Sequence, residues 1–416
     1  MTRNLGKNSL WLLISRLGTQ VLTVVFTVLL TRRLGSVGYG EYAFLAATIV
    51  IGNMLTTFGT DMFLMREIAA KGDFSHLPAA LLLQLGLSAL FVGFTFPVAT
   101  LFPNLSASAV LAVKIYSLAL FPLSFFTVFT SALRGMQRMQ TYAMLSLATI
   151  SMQVVVLVVL PVGDLVSLAA WLLIIQIFVT FLAGVFCSYL IPDFWHIWHI
   201  SKRAVQTLFY ASAPIALLAI LGVLYQKLNI YMLSAFTGAA MTGWFSAALR
   251  AVEASKTVHI SIFTALYPAM ARSRSDSKDT FRSAWVLLLI GAALIAITLS
   301  LLAAPLVNLL FGLAFAPAIP ALRILAWMLV PYTINTYLTL SFVANRREQN
   351  VVLALLASLL ALIVMSLVWI PRFGLVGAAW AALAAEILQA LMLLSLHVFQ
   401  IEIDIWGRSH EFSKLS

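Results

Sequence analysis

Charge is what this sequence has least of. Asp, Glu, Lys and Arg make up 9% of its 416 residues, whereas 62% are hydrophobic and the mean hydropathy is +1.03. A soluble domain carries about 25% charged residues, so a soluble globular fold is excluded and a polytopic membrane protein is expected. Cysteine is almost absent too. Cys187 stands alone inside an apolar run, which rules out a disulfide within the chain and a cysteine-built metal site. Acids are scarcer than bases, 14 against 25, giving a formal net charge of +11. In a soluble chain that excess would suggest nucleic acid. Here the bases fall mainly between apolar spans, where they report topology, and no nucleic-acid partner is expected.

Signatures of catalysis are missing as well. There is no Gly-x-x-x-x-Gly-Lys-Ser/Thr phosphate loop, no Gly-x-Ser-x-Gly elbow and no His-Glu-x-x-His zinc motif. The outward loops are short, leaving no room for the folded loop that a membrane polymerase or glycosyltransferase would present. His196 and His199 lack a third ligand nearby, so neither a metal nor another cofactor is expected. The basic start of the chain (Arg3, Lys7) and the apolar run after it invite a signal-peptide reading. That run, from Ser9 to about Leu30, is too long for one and ends in Thr31-Arg32-Arg33 without a cleavage pattern, so it reads as the first spanning helix.

What is present is apolar length. Crossing a hydrocarbon core of roughly 30 Å takes about 20 residues of helix. Spans are predicted at 9–31, 41–64, 79–101, 110–133, 141–160 and 165–190, then at 209–235, 243–270, 284–304, 320–343, 351–370 and 375–398, with breaks or kinks expected around Pro97 and Pro305. The fold class expected is therefore an all-α integral membrane protein of about twelve helices. Sixteen of the 25 Lys and Arg residues fall on the side of the N-terminus, four on the other (Arg32, Arg33, Arg372, Lys114) and five within spans, which makes the first side, and both termini, cytoplasmic.

A weak internal repeat divides the chain six plus six. Gly35, Gly40, Tyr42 and Ala43 recur 203 residues later as Gly238, Gly243, Phe245 and Ser246, and Leu165–Trp171 is echoed by Leu375–Trp380. The expectation is two six-helix lobes, 1–191 and 209–398, related by a pseudo-twofold axis along the membrane normal. They are joined by a cytoplasmic amphipathic linker, 192–208, and followed by a tail, 399–416.

Charges inside spans are costly and face protein or water. Arg250, Glu253 and Lys256 lie three apart along the eighth span, within one helix face, with His259 a turn further on. The plain reading is a structural ladder in which Glu253 bridges two cations. The functional reading is a basic, hydrated cavity for an anionic group, to which Lys227, beside Gln226 and Asn229, and Arg16 would add. Arg16 is also shallow enough to snorkel to the cytoplasmic interface. Glu253, His259 and Glu386, the most isolated acid of the chain, are candidates for ion or proton coupling; the plainer role for Glu386 is a hydrogen bond or salt bridge to another helix.

Several strings point further. Gly6-Lys7-Asn8-Ser9-Leu10-Trp11 with Arg16, Leu34-Gly35-Ser36-Val37-Gly38-Tyr39-Gly40-Glu41-Tyr42, Phe58-Gly59-Thr60-Asp61, Met65-Arg66-Glu67-Ile68-Ala69, Arg134-Gly135-Met136-Gln137-Arg138 and Leu375-Val376-Gly377-Ala378-Ala379-Trp380 resemble the Wzx-type flippases for lipid-linked oligosaccharides. These belong to the multidrug/oligosaccharidyl-lipid/polysaccharide exporter superfamily. The resemblance implies a bacterial inner-membrane protein that moves an undecaprenyl-diphosphate-linked oligosaccharide between leaflets by alternating access. Its partners would be that substrate and the lipid bilayer, with polysaccharide polymerase machinery as a further candidate. The alternatives are a cation-coupled multidrug antiporter of the same superfamily, which would favour acidic cavity residues, and a membrane polymerase or glycosyltransferase.

Overall fold

The computed structural model describes residues 2–160, 163–192, 194–198, 201–272, 277–345 and 347–412, with side chains described for 8–160, 163–192, 194–198, 201–257, 285–343, 345 and 347–398. These residues form helices: α1 (Thr2–Thr57), α2 (Thr60–Lys71), α3 (Leu77–Val98), α4 (Ala107–Ser117), α5 (Leu120–Gly135), α6 (Met139–Val159) and α7 (Leu165–Leu190), then α8 (Lys202–Phe236), α9 (Ala239–Arg272), α10 (Ser277–Leu301), α11 (Ala303–Leu310), α12 (Ile319–Ala326), α13 (Leu329–Ala344) and α14 (Glu348–Phe412). Among the described residues seven helices are long and apolar enough to cross a membrane, or up to nine if each of two bent pairs is one span. The protein is a multi-pass, all-α membrane protein. It divides into two compact units, Met1–Arg250 with Val307–Pro317, and Ala251–Leu306 with Ala318–Ser416.

The helix breaks have chemical causes. α1 is interrupted at Gly35 (φ 66°), a backbone region closed to most L-residues, and α14 at Gly374 (φ 53°). The predicted spans 110–133, 284–304 and 320–343 are each broken, at Leu118–Ala119, at Leu302 and at Trp327–Met328. In all three a proline (Pro122, Pro305, Pro331) follows as the third residue of the next helix. Its ring clashes with the carbonyl four residues back and it donates no hydrogen bond to it, so the chain turns there. Pro97 ends α3 one residue before its last, whereas Pro214 sits inside α8 without a break. The predicted span 41–64 stops at Thr57, because Phe58 and Gly59 both take positive φ. Phe58 stacks on Phe209 and Gly59 lies against the backbone of Ser212 and Ala216, so the close approach of α8 accompanies the turn.

Polar side chains fasten the helices of the first unit. Gln84 donates to Thr60 at 2.7 Å, Ser88 and Ser124 share a hydrogen bond at 3.0 Å, and Tyr231 donates to Thr48 at 2.8 Å. Such bonds between membrane helices are worth about 1 kcal/mol each. Broken helices also expose backbone groups that no lipid can satisfy. Arg32 donates to the carbonyls of Leu309 (2.6 Å) and Leu310 (3.4 Å) at the end of α11. Arg33 donates to Leu160 (2.7 Å) and Val158 (3.4 Å) at the end of α6, and Asn104 to Ala235 (2.7 Å) and Ser234 (3.2 Å) at the end of α8. At the start of α4 the sign reverses, as the helix dipole requires, and the Glu41 carboxylate accepts from the Ser106 N–H at 3.2 Å. Phe194, in the connection after α7, is buried among Phe129, Trp195 and Trp198. That connection therefore packs into the core with one aromatic and leaves Trp195 exposed.

The repeated glycines meet in space. A Cβ on Gly40 would overlap the carbonyl oxygen of Ala239, and a Cβ on Gly243 would overlap that of Ser36. The 203-residue offset takes Ser36 to Ala239 and Gly40 to Gly243, so the contact is reciprocal. Each glycine lies five residues beyond a glycine of positive φ, Gly35 (66°) or Gly238 (85°). Backbone presses on backbone here, and a side chain has nowhere to go. Gly40→Val and Gly243→Val should each lower the thermal unfolding temperature of the purified protein, by an amount equivalent to about 1–3 kcal/mol of overpacking. Unchanged unfolding in both variants would mean that the close approach is not obligatory.

Candidate functional site

Lys256, on α9, is paired with Glu386, on α14, with Nζ 3.8 Å from Oε1 and both side chains largely buried. The Lys256 ammonium also sits 4.1 Å from the centroid of the Tyr332 ring, within cation–π range. One turn along α13 from Tyr332, Asn335 donates through Nδ2 to Glu386 Oε2 at 2.7 Å and to the Glu386 carbonyl at 3.1 Å. The remaining atom of that amide, Oδ1, is buried with no hydrogen-bond partner among the described residues. Three helices of the second unit thus converge on one carboxylate. The spacing of Tyr332 and Asn335, three residues apart, puts both on the same face of α13.

Electrostatics makes the cluster interdependent. Two unit charges near 4 Å attract by about 4 kcal/mol at an effective dielectric of 20, while each buried ion forfeits several kcal/mol of hydration. The terms nearly cancel, so the pair adds little net stability. Removing one member is different, because it strands the other in a dry site.

The other residues singled out in the sequence lie elsewhere or keep other company. Glu253 shares α9 with Lys256 and belongs to the same unit, while Arg250 belongs to the first unit; each has interaction partners of its own. Tyr42 packs beside Phe26 and Tyr39. Lys227 is partly buried on α8 and is likewise engaged, and Arg16 is exposed on α1. The side chain of His259 lies outside the described residues. Tyr332 and Asn335 were not singled out in the sequence. An asparagine and a tyrosine three apart in an apolar helix are a usable signal, but a faint one among many neutral polar residues. On α2, Glu67 pairs with Lys71 at 2.8 Å, and among the described residues Arg66 forms no ion pair with Asp61.

The profile of the polysaccharide biosynthesis protein family matches residues 5–274, well over half of the chain. The chain belongs to the polysaccharide biosynthesis protein family. No curated protein sequence matches it. Among solved structures it is similar to the lipid II flippase MurJ in an inward closed conformation, with a TM-score of 0.77 and 16% identity, over 95% of this chain and 87% of that one. It is also similar to an inward-facing multidrug resistance MATE family transporter of the MOP superfamily (TM-score 0.71, 14% identity, 94% of this chain and 98% of that one). A third is a MOP superfamily transporter from Pyrococcus furiosus, for which a binding pocket of reversed polarity is described (TM-score 0.64, 15% identity, 95% and 96%). At these identities the likeness establishes the fold.

Within this fold the cluster yields a stability test. Lys256→Met should destabilise the protein by about 3–5 kcal/mol, because Glu386 stays buried without its counter-ion. Adding Glu386→Gln should restore most of the loss, since glutamine keeps an acceptor for Asn335 and carries no charge. Thermal unfolding of the single and double variants measures the coupling. Additive losses would show that the two charges do not depend on each other.

Proposed function

We propose that this protein is a flippase that moves an undecaprenyl-diphosphate-linked oligosaccharide repeat unit from the cytoplasmic to the periplasmic leaflet of a bacterial inner membrane, for surface polysaccharide biosynthesis. Membership of the polysaccharide biosynthesis protein family carries the reading. The likeness to a lipid II flippase supports it, since that protein's cargo is also a lipid-linked sugar. The charge is of the matching sign. Lys227, Arg250 and Lys256 lie within helices of apolar surroundings, and Arg16 near one end of the first, and cations of this kind hold diphosphates and acidic sugars. Glu253, His259 and Glu386 are the groups we assign to ion or proton coupling.

We count twelve spans in this reading. The breaks at Gly35 and Gly374 divide two of the nine candidate spans, giving eleven, and α9 supplies the twelfth. Twelve spans in two lobes of six, 1–191 and 209–398, with the connection 192–208 and the tail 399–416 on the cytoplasmic face, give a transporter that works by alternating access. The lipid tail stays in the bilayer while the polar head passes inside.

A multidrug antiporter has the MATE likeness on its side. Against it, the one buried acid of the cluster already has a cation, Lys256, where a cationic drug would need a vacant carboxylate. Cells lacking the gene should accumulate intact repeat units on the undecaprenyl carrier, confined to the cytoplasmic face, as read by mass spectrometry with a membrane-impermeant probe. Units displayed outside but unpolymerised would favour a polymerase, and an unchanged profile would overturn the flippase reading.

A further inference from the structure

Among the described residues, the partners of Lys256 leave its hydrogen-bonding capacity unused. An ammonium carries three N–H donors. The nearest carboxylate oxygen stands 3.8 Å away, outside hydrogen-bond distance, and the Tyr332 ring at 4.1 Å offers attraction without a lone pair. Glu386 is tied more closely to Asn335, at 2.7 Å, than to the lysine. Asn335 spends its donating nitrogen on Glu386, while its Oδ1 is buried without a donor, a deficit of about 1–3 kcal/mol. One carboxylate is therefore flanked by a cation with donors to give and by an acceptor with none to take.

We infer that Lys256 takes the anionic group of the cargo, and that Glu386, kept in place by Asn335, is a built-in counter-ion which that group displaces. The inference rests on the flippase reading and names the chemistry of its site. The ligand is an oxyanion carried on a hydroxyl-bearing head, either a diphosphate or a sugar carboxylate. Its anionic oxygens hydrogen-bond Lys256, and a hydroxyl, or a water that enters with it, donates to Asn335 Oδ1.

Exchange of one anion for another solves two problems. In the empty carrier Glu386 spares the protein a lone buried ammonium, which would be costly. In the loaded carrier its negative charge, a few ångströms from the incoming oxyanion, weakens the complex so that the cargo can leave. A bare lysine in so dry a place would hold a diphosphate too long to transport it. Tyr332 steadies the ammonium during the exchange without competing for its protons.

The test uses the full chain in lipid nanodiscs with geranylgeranyl diphosphate, octyl glucuronide and the neutral octyl glucoside as probes, alongside tetraphenylphosphonium. Glu386→Gln should bind at least one anionic probe about tenfold more tightly than the wild type. The double variant Lys256→Met/Glu386→Gln, which buries no charge in the cluster, should lose that binding, and octyl glucoside should not distinguish the three proteins. The anionic probe that responds identifies the group, diphosphate or sugar carboxylate. An anionic probe that binds the wild type and both variants alike overturns the inference and leaves the flippase reading standing. Wild-type protein that binds neither anionic probe but takes tetraphenylphosphonium overturns both.

Discussion

A polar group within the membrane-spanning segments has to find its partner inside the protein, because the surrounding lipid offers none. For an unbroken helix the demand is trivial, since the backbone satisfies itself. This protein breaks its helices repeatedly, and each break releases carbonyls and amides in or near the hydrocarbon. The answer is a set of side chains that reach far along the sequence to close helix ends: Arg32 to Leu309, Arg33 to Leu160, Asn104 to Ala235, Glu41 to Ser106. The two arginines meet carbonyl ends and the carboxylate meets an amide end, so those bonds also oppose a helix dipole, while the neutral Asn104 supplies hydrogen bonds alone. The irregular backbone is tolerable because these caps exist.

Much of this was legible in the sequence. Span positions follow from apolar length, and the breaks at Leu302 and Gly35 have a proline or a glycine to announce them. The repeat at an offset of 203 residues was visible as glycines, and the structure gives those glycines a shared task, the reciprocal backbone contact of Gly40 and Gly243. What escaped were relations over long separations. Arg32 and Arg33 fall among the outward charges of the sequence, yet each serves a particular helix end, up to 278 residues away. Nothing in their neighbourhood encodes that partner.

The same limit applied to the charged cluster. Lys256 and Glu386 each drew notice as an ionisable residue in an apolar run, and the sequence assigned them to different roles because they are far apart in the chain. The periodicity of α9 suggested Glu253 as the acid beside Lys256, since local spacing is all that one helix can reveal. The pairing that the structure makes instead, with Asn335 and Tyr332 attached, depends on α9, α13 and α14 packing together. Neutral residues such as Asn335 acquire significance only from what they face.

The strings that carry the family likeness turn out to be mechanical. Gly35 bends α1, Gly40 presses on Ala239, Glu41 caps α4 and Thr60 ties α2 to α3. Gly135 packs on Ile68, so two of the strings touch each other, and Gly377 packs on the backbone of Trp369. These residues hold a frame, and one frame can serve different functions. A related fold with a pocket described as reversed in polarity makes the same separation between frame and contents. What distinguishes one member from another should then be written in isolated residues on otherwise apolar helices, where a substitution changes charge without disturbing the frame. Lys256, Tyr332, Asn335 and Glu386 are residues of that kind, and none of them belongs to a recognisable string.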